Sequence, residues 1–289
     1  MANPVLASTS NASRNNTSSE NISVSNPASL TAGDEMCLFV TLYETGTGQT
    51  IATPSGWTSR HNVAFNFVSR ACFTKTATSG DVSAGSVTVS STGGGDFMSA
   101  SFHRITGSVA PSIAFSSEDD AGSAPYTTAL TPTTLESLVL VFFSGADNSL
   151  EAVPTASGYS LTPTTSLTEV SDLGLRDVSS NGIAHAVAQG AYDGTTEITA
   201  RSVTFSEGVT RSPGSIIVIY SAPENATGTN ALLQVSPTQF SQAGVAGTTG
   251  TNTLLDVSPT MFEQNGSGTS PTVWTNEAKP STTWTNEQK

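Results

Sequence analysis

A chain of 289 residues with a net charge of −13 and only 11% charged residues, against about 25% in ordinary globular proteins, is too poor in Lys and Glu for long solvated helices. Its negative balance opposes non-specific attraction to nucleic acid phosphate. No apolar run approaches the roughly 20 residues of a membrane span, and Met1-Ala2-Asn3-Pro4-Val5-Leu6 has no basic segment followed by an apolar one, so neither a membrane helix nor a secretory signal is expected.

Residues Asn3 to Glu20 are Ser/Asn-rich with little periodicity, and segment 1–21 is read as a flexible or partner-ordered arm. Ile22-Ser23-Val24-Ser25 alternates and opens the first strand. Met36-Cys37-Leu38-Phe39-Val40, apolar at every position, predicts a strand buried on both faces. Thr53-Pro54-Ser55-Gly56-Trp57 is a turn delivering an aromatic. Phe65 to Lys75 reads as one long strand with a bulge. Gly80-Asp81 turns the chain, Ser86-Val87-Thr88-Val89-Ser90 is a half-buried strand, and Phe97 to Ile105 closes a first half at about residues 22–106.

A second half, about 126–222, repeats that order. Leu138 to Phe143 matches Met36 to Val40, and Ser157-Gly158-Tyr159 matches Ser55-Gly56-Trp57. Ile183 to Gln189 matches the Ala71 strand, Ser202 to Phe205 matches Ser86 to Val89, and Ser215 to Tyr220 matches Ser101 to Ile105. The offset drifts from about 100 to 116 residues, as insertions in surface loops produce. The expected fold is all-β: a jelly-roll-like two-sheet antiparallel sandwich over 22–222. Two small sandwiches in tandem are the alternative, disfavoured because each half shows about five strands and an independent sandwich usually has seven.

From 223 to 289 the character changes. Gly228 to Phe240 returns as Gly250 to Phe262 at a period of 22 residues, and Trp274-Thr275-Asn276-Glu277 returns at Trp284 at a period of ten. Each long copy carries a small apolar cluster between Gly/Thr-rich spacers, too little to form a core alone. Repeated anchors on an extended tail suit multivalent attachment, so Leu232, Leu233, Phe240, Leu254, Leu255, Phe262, Trp274 and Trp284 are the candidate partner-anchoring residues.

Constellations for chemistry are sparse. His61, His103 and His185 have no metal-ligand partner at useful spacing, and no G-x-S-x-G, Walker A, G-x-G-x-x-G or C-x-x-C motif occurs. No catalytic residue, cofactor or metal site is assigned. Glu118-Asp119-Asp120 is the one acidic loop with Ca²⁺-type composition, and is read as solvated. Cys37 and Cys72 lie in apolar strands and are read as buried small hydrophobes rather than a disulfide. Trp57, Tyr126 and Tyr159 are the candidate glycan platforms. The matched places of Trp57 and Tyr159 favour packing at the core or rim.

The order Gly33-Asp34 plus apolar strand, Thr53 to Trp57, Phe73-Thr74-Lys75-Thr76-Ala77, Gly80-Asp81 and Ser86 to Val89 resembles β-sandwich modules in structural proteins of tailed bacteriophages. The Trp-Thr-Asn-Glu repeats are similar to terminal repeats in such virion proteins. That resemblance implies a non-enzymatic virion protein assembled in the host cytoplasm, a capsid decoration protein first. Its implied partners are major capsid or tail proteins and copies of itself, commonly in trimers. A tail fibre or adhesin binding host surface glycan is the alternative, and a glycan-cleaving enzyme with two carboxylates on one groove is the third reading.

Overall fold

The run Met36–Val40 is apolar throughout because it lies inside a strand, Glu35–Tyr43, whose nine residues are all buried. The computed structural model describes residues 3–15, 21–43, 49–65, 67–91, 97–107, 115–118, 126–132, 136–193, 196–209 and 211–221. These belong to one compact unit, Met1–Pro223. The tail segment 223–289 with its eight candidate anchors, and Asp119-Asp120 of the acidic loop, lie outside the described residues.

The first half contains β1 (Val5–Asn15), β2 (Asn21–Ser25), β3 (Glu35–Tyr43), β4 (Ile51–Ala52), β5 (Thr58–Phe65), β6 (Val68–Thr76), the short helix α1 (Ser79–Ala84), β7 (Ser86–Ser91) and β8 (Phe97–Thr106). The second contains β9 (Phe115–Glu118), β10 (Tyr126–Leu130), β11 (Glu136–Asp147), β12 (Ala156–Thr162), β13 (Thr168–Asp172), β14 (Leu175–Arg176), β15 (Gly182–Asp193), β16 (Ile198–Phe205) and β17 (Arg211–Ser221). In the first half the sheets run β1-β8-β3-β6-β5 and β2-β7-β4. In the second they run β9-β17-β11-β15-β13 and β10-β16-β12, with β14 added beside β15. The two orders are the same, strand for strand.

The fold is all-β and antiparallel, built from two similar halves. What differs from the sequence reading is the number of strands and of sheets, four sheets standing in place of one facing pair. Each half holds a large and a small sheet and closes a sandwich of its own. Three strands account for the difference. The expected N-terminal arm is, over Val5–Asn15, an edge strand paired with β8 from Val5↔Thr106 to Asn15↔Phe97. The expected long strand from Phe65 to Lys75 is the far side of a hairpin, with Phe65 opposite Val68. The two-residue β4 completes the small sheet.

Period-2 alternation then sorts β3 between two cores. Met36, Leu38, Val40 and Leu42 face the small sheet of their own half, meeting Ile22, Val24 and Val89. Cys37 and Phe39 face the other way, against Leu138, Leu140 and Phe142 of β11 and Ile216 and Val218 of β17. In β11 the alternate residues Val139, Val141 and Phe143 serve the second half's own core. The two large sheets therefore pack back to back, with small sheets outside, in four layers. Phe39 and Phe142 stack across the central layer at 4.9 Å between ring centroids. The fully buried Arg70 also reaches across it, donating from Nε to Ser144 Oγ at 3.1 Å.

Candidate functional site

Two polar constellations stand out, one sealed and one open. The sealed one lies between the large sheets. Thr9 Oγ1 is 3.0 Å from His103 Nδ1, His103 Nε2 is 3.0 Å from Ser101 Oγ, Ser101 Oγ is 2.9 Å from His185 Nε2, and His185 Nδ1 is 3.1 Å from Thr41 Oγ1. With one N–H on each imidazole, donors running one way along this chain satisfy all four ring nitrogens, and neither ring needs a charge. Burial pushes both imidazoles down from 6.5 to about 3, and His103 lowers His185 further. A serine between two imidazoles has the composition of a nucleophile with its base. Yet Ser101, His103 and His185 have no exposed surface, and every ring nitrogen is bonded to a hydroxyl, leaving no carboxylate to orient the base. The constellation is a neutral structural network.

The open constellation starts from the turn Thr53 to Trp57. Trp57 N–H donates to Pro54 C=O at 3.1 Å, and Gly56 takes φ +77°, the left-handed region that favours glycine. A Cβ at Gly56 would also lie 3.1 Å from Lys75 Nζ. The turn thus brings Trp57 back over the core, where its ring meets Phe102 edge-on at 5.5 Å. On the opposite side, Thr78 caps α1, and Asp81 accepts from Thr78 N–H and Oγ1 with one carboxylate oxygen and from Lys75 Nζ, at 2.6 Å, with the other. Burial alone would raise the Asp81 carboxyl; the bonds from Lys75 and Thr78 outweigh it and hold the group below its ordinary value.

Between these two sides the small sheet is incomplete. β4 pairs with β7 only at Ser90 and Ser91, while β2 covers the other edge of β7 from Ser86 to Ser90. The chain after β4 swings away into the Trp57 turn, and a slot of about 240 Å³ opens between that turn and Ser86-Val87-Thr88, floored by Met36 and Phe102.

Of the sequence-predicted platforms, Trp57 lines this slot. Tyr159, at the matching place in the second half, packs 6.0 Å from Phe143 and spends its hydroxyl on Glu169 Oε2 at 3.1 Å. Burial, then that carboxylate, raise its phenol. Tyr126 opens β10 opposite Arg201, far in the fold from Trp57's sheet, and only its backbone is among the described parts. Sequence reading missed what lies around Trp57 in the slot: Asn26, Asp81 and the stretch of β7 that, among the described residues, β4 leaves uncovered. Cys37 and Cys72 are both free thiols, with Sγ atoms 3.9 Å apart. Among the described residues, no group of three His, Cys, Asp or Glu converges to hold a metal, and no helix is long and apolar enough to cross a membrane. No protein-family model, curated protein or solved structure matches the chain.

Proposed function

We propose that this chain is a non-enzymatic structural protein of a tailed-bacteriophage virion: a capsid decoration protein with its β body displayed on the particle and its C-terminal repeats attaching it. The observation that supports the reading is the fusion of two like sandwiches through a central layer buried on both sides. Such a body presents its apolar residues to three stacked cores, which suits a display module. We read the strand order of each half, five strands facing three with β14 added in the second half, as jelly-roll-like. The partners in this reading are major capsid or tail proteins and further copies of the chain, as a trimer, assembled in the host cytoplasm. The repeats at periods of 22 and ten residues supply linked weak contacts, which add through effective concentration.

The test is co-sedimentation of the full chain, and of a chain ending at Ala222, with separated phage heads and tails. Binding of the full chain to heads, lost on truncation, is the expected result. Binding of both chains to tails only, or of neither to particles while the body binds host cells, overturns it in favour of the tail-fibre or adhesin reading. The slot beside Trp57 is the observation that favours that second reading.

A further inference from the structure

We propose that the slot between the Trp57 turn and β7 binds a single neutral sugar ring. The inference rests on the geometry of the body and stands or falls independently of where the protein is attached.

Size sets the first limit. At about 240 Å³ the slot falls below the roughly 300–1,000 Å³ of sites for drug-sized ligands, which leaves room for one ring and not an oligomer. Charge sets the second. Among the lining residues the one charged side chain is Asp81, and both its oxygens are engaged, by Lys75 and by Thr78. An anionic ligand would meet no unpaired cation there, and a cationic one no unpaired carboxylate. The ligand is therefore uncharged.

Its surface must also be two-sided. Trp57, Met36 and Phe102 give one apolar wall and floor, while Asn26, Ser55 and Thr88 bring amide and hydroxyl groups to the same opening. The Asn26 amide already donates from Nδ2 to the Asp81 carbonyl at 2.8 Å, which fixes the side chain and leaves its carbonyl oxygen as an acceptor. From Ser86 to Thr88, the edge of β7 away from β2 has no strand partner among the described residues, so its main-chain groups on that side are open to hydroxyls. A pyranose has this surface: a C–H face for an aromatic wall and a ring of hydroxyls for short polar groups. An extended peptide added to β7 would also use the open edge, but β4 takes that edge from Ser90 onward, and the few residues from Ser86 that stay open are too short a template for a strand.

The pseudo-repeat gives an internal control. The matching residue in the second half, Tyr159, lies within β12 with its hydroxyl spent on Glu169; β12 pairs with β16 from Ala156 to Thr162 and covers the edge left open in the first half, and the described residues between β15 and β16 hold no counterpart of α1. Among the described residues, one such site follows.

The experiment titrates the full chain with methyl glucoside, methyl mannoside, methyl galactoside and N-acetylglucosamine. The readout is the indole N–H signals of its three Trp residues, assigned with Trp57→Phe. At least one sugar should shift the Trp57 signal saturably, with Kd on the order of 1 mM, while Trp274 and Trp284 stay unmoved. Glucuronate should bind at least tenfold more weakly than the best neutral sugar. Because Trp57 also packs on the core, the blocking variant is Ser86→Phe on the exposed side of β7, which should abolish the shift with the fold intact. No shift with any of the four sugars at about 10 mM, a shift that survives Ser86→Phe, or tighter binding of glucuronate would each overturn the proposal. None of these outcomes depends on particle binding.

Discussion

His103 and His185, from different halves of the chain, meet on one hydroxyl: Ser101 Oγ lies 3.0 Å from Nε2 of the first and 2.9 Å from Nε2 of the second. The chain of bonds closes with both rings neutral, and both rings are fully buried, which gives a sign to the pH dependence of stability. Each imidazole titrates near 6.5 when unfolded and near 3 when folded. Between those values the unfolded chain binds more protons, so their contribution is complete above about pH 6.5 and is lost as pH falls toward 3. Each ring contributes a slope of at most about 1.4 kcal/mol per pH unit. Glu35 and Asp172, whose carboxyls burial raises, work the opposite way just above the ordinary carboxylate range. Urea midpoints measured from about pH 4 to 8 should therefore fall with acid in the native chain, and fall less steeply in His185→Gln. An equal slope in the two would sink the assignment.

Ser101→Ala strands two buried ring nitrogens at once. A loss of about 2–3 kcal/mol is expected at neutral pH, with no gain in solvent access, measured by denaturant unfolding. A loss under about 0.5 kcal/mol would mean that the network is not closed through the serine.

Phe142 sits in the central layer against Phe39 and, at 4.8 Å, against His185. Phe142→Ala should cost about 3–5 kcal/mol. Since the face it vacates joins the two sandwiches, the unfolding transition should also split into two. A single sharp transition with unchanged midpoint would show that the layer does not couple the halves.

Asp81→Ala removes the acceptor that closes the cap of α1 and the partner of Lys75. A cost of about 1–2 kcal/mol is expected. Lys75→Met, which removes only an ion pair about a fifth exposed, should cost under about 1 kcal/mol. Thermal melts that rank the two variants in the reverse order would place the stabilisation in the pair and not in the cap.

The thiols of Cys37 and Cys72 are fully buried, and burial, with Cys37 alongside, raises the Cys72 thiol well above its ordinary value. Since thiolate is the reactive form, a disulfide reagent should label neither in the folded chain and both after unfolding. Fast labelling of the native protein would show that the central layer opens.

The doubly buried strands were legible in the sequence because burial on both faces demands an apolar residue at every position, as at Met36–Val40 and Leu138–Phe143. The repeat was legible for the same reason. β1 was not, since beyond Leu6 and Ala12 it packs little apolar surface and is held by its ladder to β8, by Ser8 and Ser10, which donate to the carbonyls of Ala28 and Asn26, and by Asn11, which accepts from Ser171 Oγ. Polar side chains of that kind read as an unstructured arm. The hairpin at Phe65 was hidden by an alternation that continues across its turn. α1 spans six residues, too few to show a helical period. The His–Ser–His chain and the slot depend on strand order, and no spacing in the sequence encodes it.

β1 has a further consequence in the cell, where the chain emerges from the ribosome amino end first. Its sheet partner β8 is made some ninety residues later, and its bonds to Ser171 and to the Arg176 carbonyl wait for the second half. The first strand of this body is thus among the last to find all its contacts. Until β11 and β17 arrive, the face bearing Cys37, Phe39 and Cys72 stays uncovered. While residues 136–221 are still to be made, that apolar face is open to the same face of a neighbouring nascent chain on the polysome.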